Sequence, residues 1–325
     1  MLSCLKYLIS RSGLPYPLFF AIICAVSYFS GIFLALSIGD VGLFLLDHGF
    51  ILLCLFGYVS GTFTMLLVDT LNASLTDVEE YAEAGSIEWG DFKRRVEEKV
   101  LRNRAYWLVF LFWMTYSFYS IFVSRVTWWR QDYTGQLLMD VYGYLMQGLN
   151  GCFLGGIFMT LVSLTLNLAY REILSHRVFS SEIVMPRGKR RLSRFKKLVL
   201  IETFAAAVAS ALAISIWSKA APYTPIIGSL IMVLPTAVYP HYIFYRILSE
   251  AREEKLSLVE SRIEELPEGR EADIGSLVLL GKLSIELGRV ERAKPWLVDL
   301  KALLQLIGAA ATSQILGLVL KYLLS

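Results

Sequence analysis

The stretch RGKRRLSRFKKLVLIETFAAAVASALAISIW, Arg187 to Trp217, packs seven Lys or Arg side chains into its first eleven positions and then turns apolar. Two surfaces call for such cations: a nucleic acid, or the edge of a membrane. Nucleic-acid binding needs a soluble face with interleaved aromatics or a groove-entering helix. Here only Phe195 interrupts the run, and after Glu202 no charge follows until Lys219. A basic run ending in lipid-soluble sequence marks the inner end of a transmembrane helix, because Lys and Arg stay cytoplasmic. Arg187, Lys189, Arg190, Arg191, Arg194, Lys196 and Lys197 are therefore expected to meet anionic headgroups, and no nucleic acid.

Composition extends that reading to the whole chain. Of 325 residues, 56% are hydrophobic and 18% charged, and the mean hydropathy is +0.55. Soluble domains carry about a quarter charged residues. Charge-free runs cover 12–39, 49–68, 105–124, 141–170, 203–218 and 220–245. A helix needs roughly 20 apolar residues to cross about 30 Å of hydrocarbon. Leu198–Ile201 extends the fifth run to that length. Lipid forbids unpaired backbone groups, so the runs must be helices.

The expected fold is all-α: a polytopic integral membrane protein with six transmembrane helices in three hairpins. The spans are expected near 17–38, 43–68, 105–125, 141–168, 198–218 and 224–246. They fall in a membrane domain over 1–248, followed by a cytoplasmic or interfacial helical tail over 249–325. Lys and Arg number two at the N-terminus, six in the segment 71–104 and nine in the segment 171–197; the other connections hold only Arg125, Arg130 and Lys219. Both termini and both long segments are therefore expected in the cytoplasm of a cell-membrane protein. Trp128, Trp129, Tyr133, Trp217 and Tyr223 would form the outer aromatic belt, with Tyr106, Trp107, Tyr242 and Tyr245 in the inner one.

Local patterns fill in the segments. Thr76 and Glu79 have the spacing of a capping box opening a cytoplasmic helix, and Phe92, Val96 and Val100 give it one apolar stripe. Leu256, Val259, Ile263 and Leu266 read as helix six running on into the cytoplasm until Pro267-Glu268-Gly269. The segment LVLLGKLSIELGRVERAKPWL is similar to one tetratricopeptide repeat in Leu280-Gly281, Gly288 and Ala293. The resemblance implies a helix–turn–helix and, if genuine, peptide binding. A lone copy has no neighbour to bury its face, so it is taken as a helical hairpin. Lys301, Gln305, Gly308 and Thr312 share one face of a last amphipathic helix.

Candidate chemistry is sparse. Asp69, Gln147, Asn150, Glu202 and His241 are the polar residues singled out within spans, where such groups are functional suspects because their burial is costly. Pro235 and Pro240 are expected to break helix six beside His241. At about 100° per residue, Gln147 and Asn150 fall opposite Thr160, Ser163 and Asn167, which argues against one continuous polar wall. Cys4, Cys24, Cys54 and Cys152 have no metal or redox spacing and act as small apolar residues. Three histidines and no nucleophile–base motif point to no metal, no cofactor and no enzyme. The small faces Gly57/Ser60/Gly61/Thr64, Gly151/Gly155 and Ala205/Ala209/Ala213 suit close helix packing, inside one chain or in a homo-oligomer. The expected function is solute transport or a channel. The alternative is a membrane scaffold whose cytoplasmic helices bind a protein partner, with an intramembrane enzyme last.

Overall fold

The computed structural model describes residues 1–81, 89–175, 179–217, 224–266 and 274–293, plus the single positions 295, 308, 312, 315 and 319; of 175, 217, 224–234 and 237 only the backbone is described. The described residues are 87% helical, with no strand among them. Five helical stretches are long and apolar enough to cross a membrane: Tyr16–Ser37, His48–Asp77, Trp89–Val123, Gln136–Leu174 and Pro186–Ile216.

A short α1 (Leu2–Ser12) precedes α2 (Tyr16–Ser37), entered through Gly13 at φ 67 and with Pro17 in its first turn. The second span does not begin at 43. Val41–Leu45 is a separate helix, α3, and α4 (His48–Asp77) starts where the Asp47 carboxylate accepts the Gly49 N–H at 3.0 Å. A side-chain acceptor at that position satisfies one of the orphan amides of a new helix. At its other end α4 runs past 68 to Asp77. The capping-box expectation fails there, because Thr76 Oγ1 donates to the Asn72 carbonyl at 3.0 Å inside the last turn and accepts from Lys93 Nζ at 2.9 Å. α5 (Trp89–Leu101) does bury the stripe Phe92, Val96 and Val100.

α6 (Ala105–Phe118) ends in a wide turn over Tyr119–Val123. The fourth span is composite. α7 (Gln136–Met146) continues through a nine-residue π stretch, Gln147–Gly155, into α8 (Gly156–Thr160), a second π stretch, Leu161–Thr165, and α9 (Leu166–Ser175). A π turn closes i→i+5 bonds and turns each side chain by less than an α turn does. Thr160 is buried, as are Gln147 and Asn150, while Ser163 is exposed and Asn167 half-buried, so the polar residues of this stretch do not share one environment.

α10 (Pro186–Arg191) leads into α11 (Ser193–Trp217), and α12 (Thr224–Glu264) is one helix of 41 residues. It passes through Pro235 and Pro240 without interruption, so the expected break is absent. Each proline removes one intrahelical bond without ending the helix. α13 (Ile274–Glu291) carries Leu280-Gly281 and Gly288 within a single helix. The second half of the repeat-like hairpin, the Pro267–Gly269 stop and Lys301 and Gln305 lie outside the described residues.

α4 sits at the centre, packed against α2, α7, the first π stretch, α8 and α11, while α11 also packs on α12. The small faces are used inside the chain. A Cβ on Gly57 would stand 2.6 Å from Asn150 Oδ1, and one on Gly155 would strike the Phe56 ring. Such close approach replaces the hydrophobic drive that lipid cannot supply.

Polar bonds sort the connections into two ends. At one end Asp40 receives Thr134 N–H at 2.6 Å, and Asp47 receives Arg130 N–H at 2.8 Å and Tyr133 O–H at 2.9 Å. At the other, Lys6 meets Glu97 at 3.7 Å, Arg194 meets Asp77 at 3.1 Å, Arg191 meets Glu80 at 3.0 Å, and Lys99 pairs with Glu172. The cation-rich segments thus share one face of the bundle. Trp128, Trp129 and Tyr133 do not form a lipid-facing belt. Each is 4% exposed, folded under the 124–135 loop, where Trp129 Nε1 donates to the buried Asp140 at 3.2 Å. An indole or phenol that finds a hydrogen-bond partner can sink into a core. Tyr106 is likewise buried and donates to the Val100 carbonyl, whereas Trp107 and Tyr242 remain half exposed.

The tail is tied to this face by two cations of α12. Lys255, 6% exposed, reaches Glu182 at 2.6 Å and Glu286 of α13 at 2.7 Å, and Arg252 donates to the terminal carbonyls of Val290 and Glu291. Burial alone would lower the Lys255 pKa, but hydrogen bonds to Glu182 and Glu286 outweigh it and raise it above the ordinary 10.5. Its contribution is therefore complete at neutral pH and is lost only as pH climbs beyond 10.5. Lys255→Met is expected to release α13 at a cost of about 1–2 kcal/mol, modest because both carboxylates are partly solvated. Hydrogen exchange over 274–291 measures this; unchanged protection would mean α13 is held by something else.

Candidate functional site

Glu202 lies one turn inside the apolar part of α11, between Leu198–Ile201 and the charge-free stretch that follows. It is fully buried. Its Oε2 accepts a 2.6 Å hydrogen bond from the Tyr170 hydroxyl of α9, and its Oε1 has no partner among the described residues. A carboxylate in lipid is costly to keep without a counter-charge, yet no Lys or Arg pairs with this one among the described residues. Tyr170 is also fully buried, with its ring edge-on to Phe244 of α12 at 6.1 Å. Phe244 in turn packs on Phe195 of α11 at 5.1 Å. His241 stands one turn before Phe244, 3% exposed, with neither ring nitrogen partnered among the described residues. Two helices thus bring a carboxyl and a phenol together, and α12 packs Phe244 against the phenol with His241 one turn away along the helix.

Some hydroxyls of α11 and of α4, packed against it, lack the usual bond. In lipid-embedded helices Ser and Thr normally bond back to the carbonyl four residues earlier, as Thr203 and Ser215 do on α11, each at 2.9 Å. Ser210 on the same helix, and Ser60 and Thr64 on α4, do not, and their buried oxygens have no partner among the described residues. Buried polar atoms are seldom left unbonded. From the charged end, a cavity of about 380 Å³ lined by Leu174, Phe179, Ile247, Glu250, Glu253 and Glu254 approaches the same place. Leu174 and Ile247 lie one turn beyond Tyr170 and Phe244 on their helices.

The comparisons with known proteins come back empty. No family model, no curated protein and no solved structure matches this chain.

The remaining sequence candidates fall elsewhere. Gln147 and Asn150 are buried in the first π stretch, where Asn150 contacts Cys24 at 3.6 Å and Met146 at 3.7 Å. Twenty residues separate Asn150 from Tyr170, roughly 30 Å along a helix. Asp69 is exposed on α4 within the field of Lys6. Pro235 is exposed and Pro240 buried, the latter directly before His241. Of the seven basic residues, Arg191 and Arg194 are held by Glu80 and Asp77, while Arg187, Arg190, Lys196 and Lys197 remain exposed. No group of three metal-ligating side chains occurs among the described residues. Sequence inspection passed over Tyr170 and Asp140. Tyr170 looked like ordinary apolar filling, and the one clue available was that a phenol deep in a span requires an acceptor.

Proposed function

We propose that this chain is a multi-pass carrier of the cell membrane that moves protons, alone or coupled to a solute, with Glu202 as the proton-carrying group. The carrying observation is the buried Glu202 carboxyl, bonded on one oxygen by Tyr170 and matched by no cation among the described residues. Chains of carboxyl, hydroxyl and imidazole groups are the usual means of passing protons within a membrane. A metal cation is less well served, since it demands several oxygen ligands at once and only the carboxyl and phenol converge here. The acidic lining of Glu250, Glu253 and Glu254 suits the approach of a positive species.

In this reading α12 supplies a sixth span near 224–246, both termini and the cation-rich face are cytoplasmic, and the chain has no enzymatic role. The positive-inside rule supports that orientation. The test is purified protein in sealed liposomes holding a pH-sensitive dye, with a potassium diffusion potential imposed. Potential-driven acidification is expected only where the protein is present. Identical traces with and without it, under a pH gradient as well as a potential, end the proposal.

A second reading, a scaffold that binds a protein partner, draws on one observation. α13 leaves Ile274, Leu277, Val278 and Ile285 more than half exposed, a larger apolar face than a solvated helix ordinarily shows. Loss of co-purifying proteins on deleting 267–325 would favour it.

A further inference from the structure

The exposed end of the basic run forms a shaped groove. Arg187, Arg190 and Arg191 of α10 face Glu80 and Tyr81 across a cavity of about 460 Å³. Its two walls are locked together by backbone. Ser180 N–H donates to the Tyr81 carbonyl at 2.9 Å, and Gly188 lies so close to Ile183 that a Cβ would stand 2.5 Å from its carbonyl oxygen. Arg191 spends its charge on Glu80 at 3.0 Å, and Arg194 on Asp77 at 3.1 Å. Arg187 and Arg190 have no such partner among the described residues and are exposed. The groove therefore holds one neutralised ion pair and two free guanidinium groups on a fixed element.

We infer that Arg187 and Arg190 seat a phosphate group in this groove, with Tyr81 as its wall. Guanidinium forks match the spacing of phosphate oxygens and bind them with charge-assisted hydrogen bonds. These arginines lie eight and eleven positions before Leu198, where the apolar part of α11 begins, which is roughly 12–17 Å if helical throughout. A lipid headgroup at the membrane face and a soluble phosphate can both reach it. The inference narrows the general attraction of a basic run for anionic lipid to two residues, and it stands independently of proton transport.

Full-length protein in a neutral detergent is titrated with short-chain phosphatidylglycerol and, separately, with inorganic phosphate, read by intrinsic fluorescence. Arg187→Gln/Arg190→Gln is compared with Lys196→Gln/Lys197→Gln, which removes the same charge from exposed positions outside the groove. Saturable binding that falls at least about tenfold in the arginine pair, and less than about twofold in the lysine pair, is expected. Saturation by the lipid alone identifies a headgroup seat; saturation by inorganic phosphate as well identifies a site for the phosphate itself. Equal losses in both pairs would reduce the groove to diffuse charge, and no saturable binding of either probe would remove the site.

Discussion

Glu202→Gln is expected to abolish protein-dependent proton uptake in liposomes while leaving the protein folded. Glutamine keeps the volume of the side chain, and its carbonyl still accepts the Tyr170 hydroxyl, so the α9–α11 contact survives. An amide cannot take up and release a proton in the working pH range, so only the chemistry is lost. Tyr170→Phe separates structure from function in the opposite sense. It leaves both carboxyl oxygens unbonded in a buried place, with an expected cost of about 1–3 kcal/mol in stability and slower uptake. Asp69→Asn is the control, since Asp69 is exposed, and should transport normally. Full uptake by Glu202→Gln would place the proton path elsewhere.

Asp47→Ala is expected to be the most damaging substitution at the opposite end of the bundle. One carboxylate there caps α4 through Gly49, holds the backbone of Arg130 and accepts the hydroxyl of Tyr133. Alanine removes the cap, worth about 0.5–2 kcal/mol, and strands the buried Tyr133 hydroxyl, worth about 1–3 kcal/mol more. A total loss of about 1.5–5 kcal/mol follows, measurable as a lowered thermal midpoint with exposure of Trp128 and Trp129. Asn at 47 should retain much of the cap and lose less. Burial, and then the Asp47 charge, raise the Tyr133 pKa above its ordinary 10.0. Because the folded state holds this proton more tightly than the unfolded chain does, its contribution is complete below pH 10 and declines as pH rises past it. Tryptophan fluorescence should accordingly be flat from neutral pH to 10 and drift only above. A transition near neutral pH would contradict the assignment.

The apolar blocks predicted the helices where the forces are local. The first span, expected over 17–38, is observed over Tyr16–Ser37, because contiguous lipid-soluble residues leave little choice. Departures arise where a side chain acts across the fold. The start of α4 is set by Asp47, whose other bonds reach Arg130 and Tyr133 more than eighty residues away, and no window around residue 43 contains that information. The Tyr170–Glu202 bond spans 32 residues and is silent in either helix alone. The π turns of the fourth apolar stretch were not legible for a different reason: a fixed 100° step assumes α geometry throughout. Residue type alone sends Trp129 to the lipid interface, whereas the acceptor that lets it sink inside, Asp140, lies eleven residues further on.

The uninterrupted α12 has a mechanical meaning. Its two prolines sit just before His241, and from His241 to Glu264 the helix contains none, a rod of roughly 36 Å. Lys255 grips α13 about 21 Å along that rod, a little past its middle. A change of about 5° at the prolines would swing the tip by about 3 Å at this length, so events beside His241 and the position of the tail are geared to each other through one stiff lever.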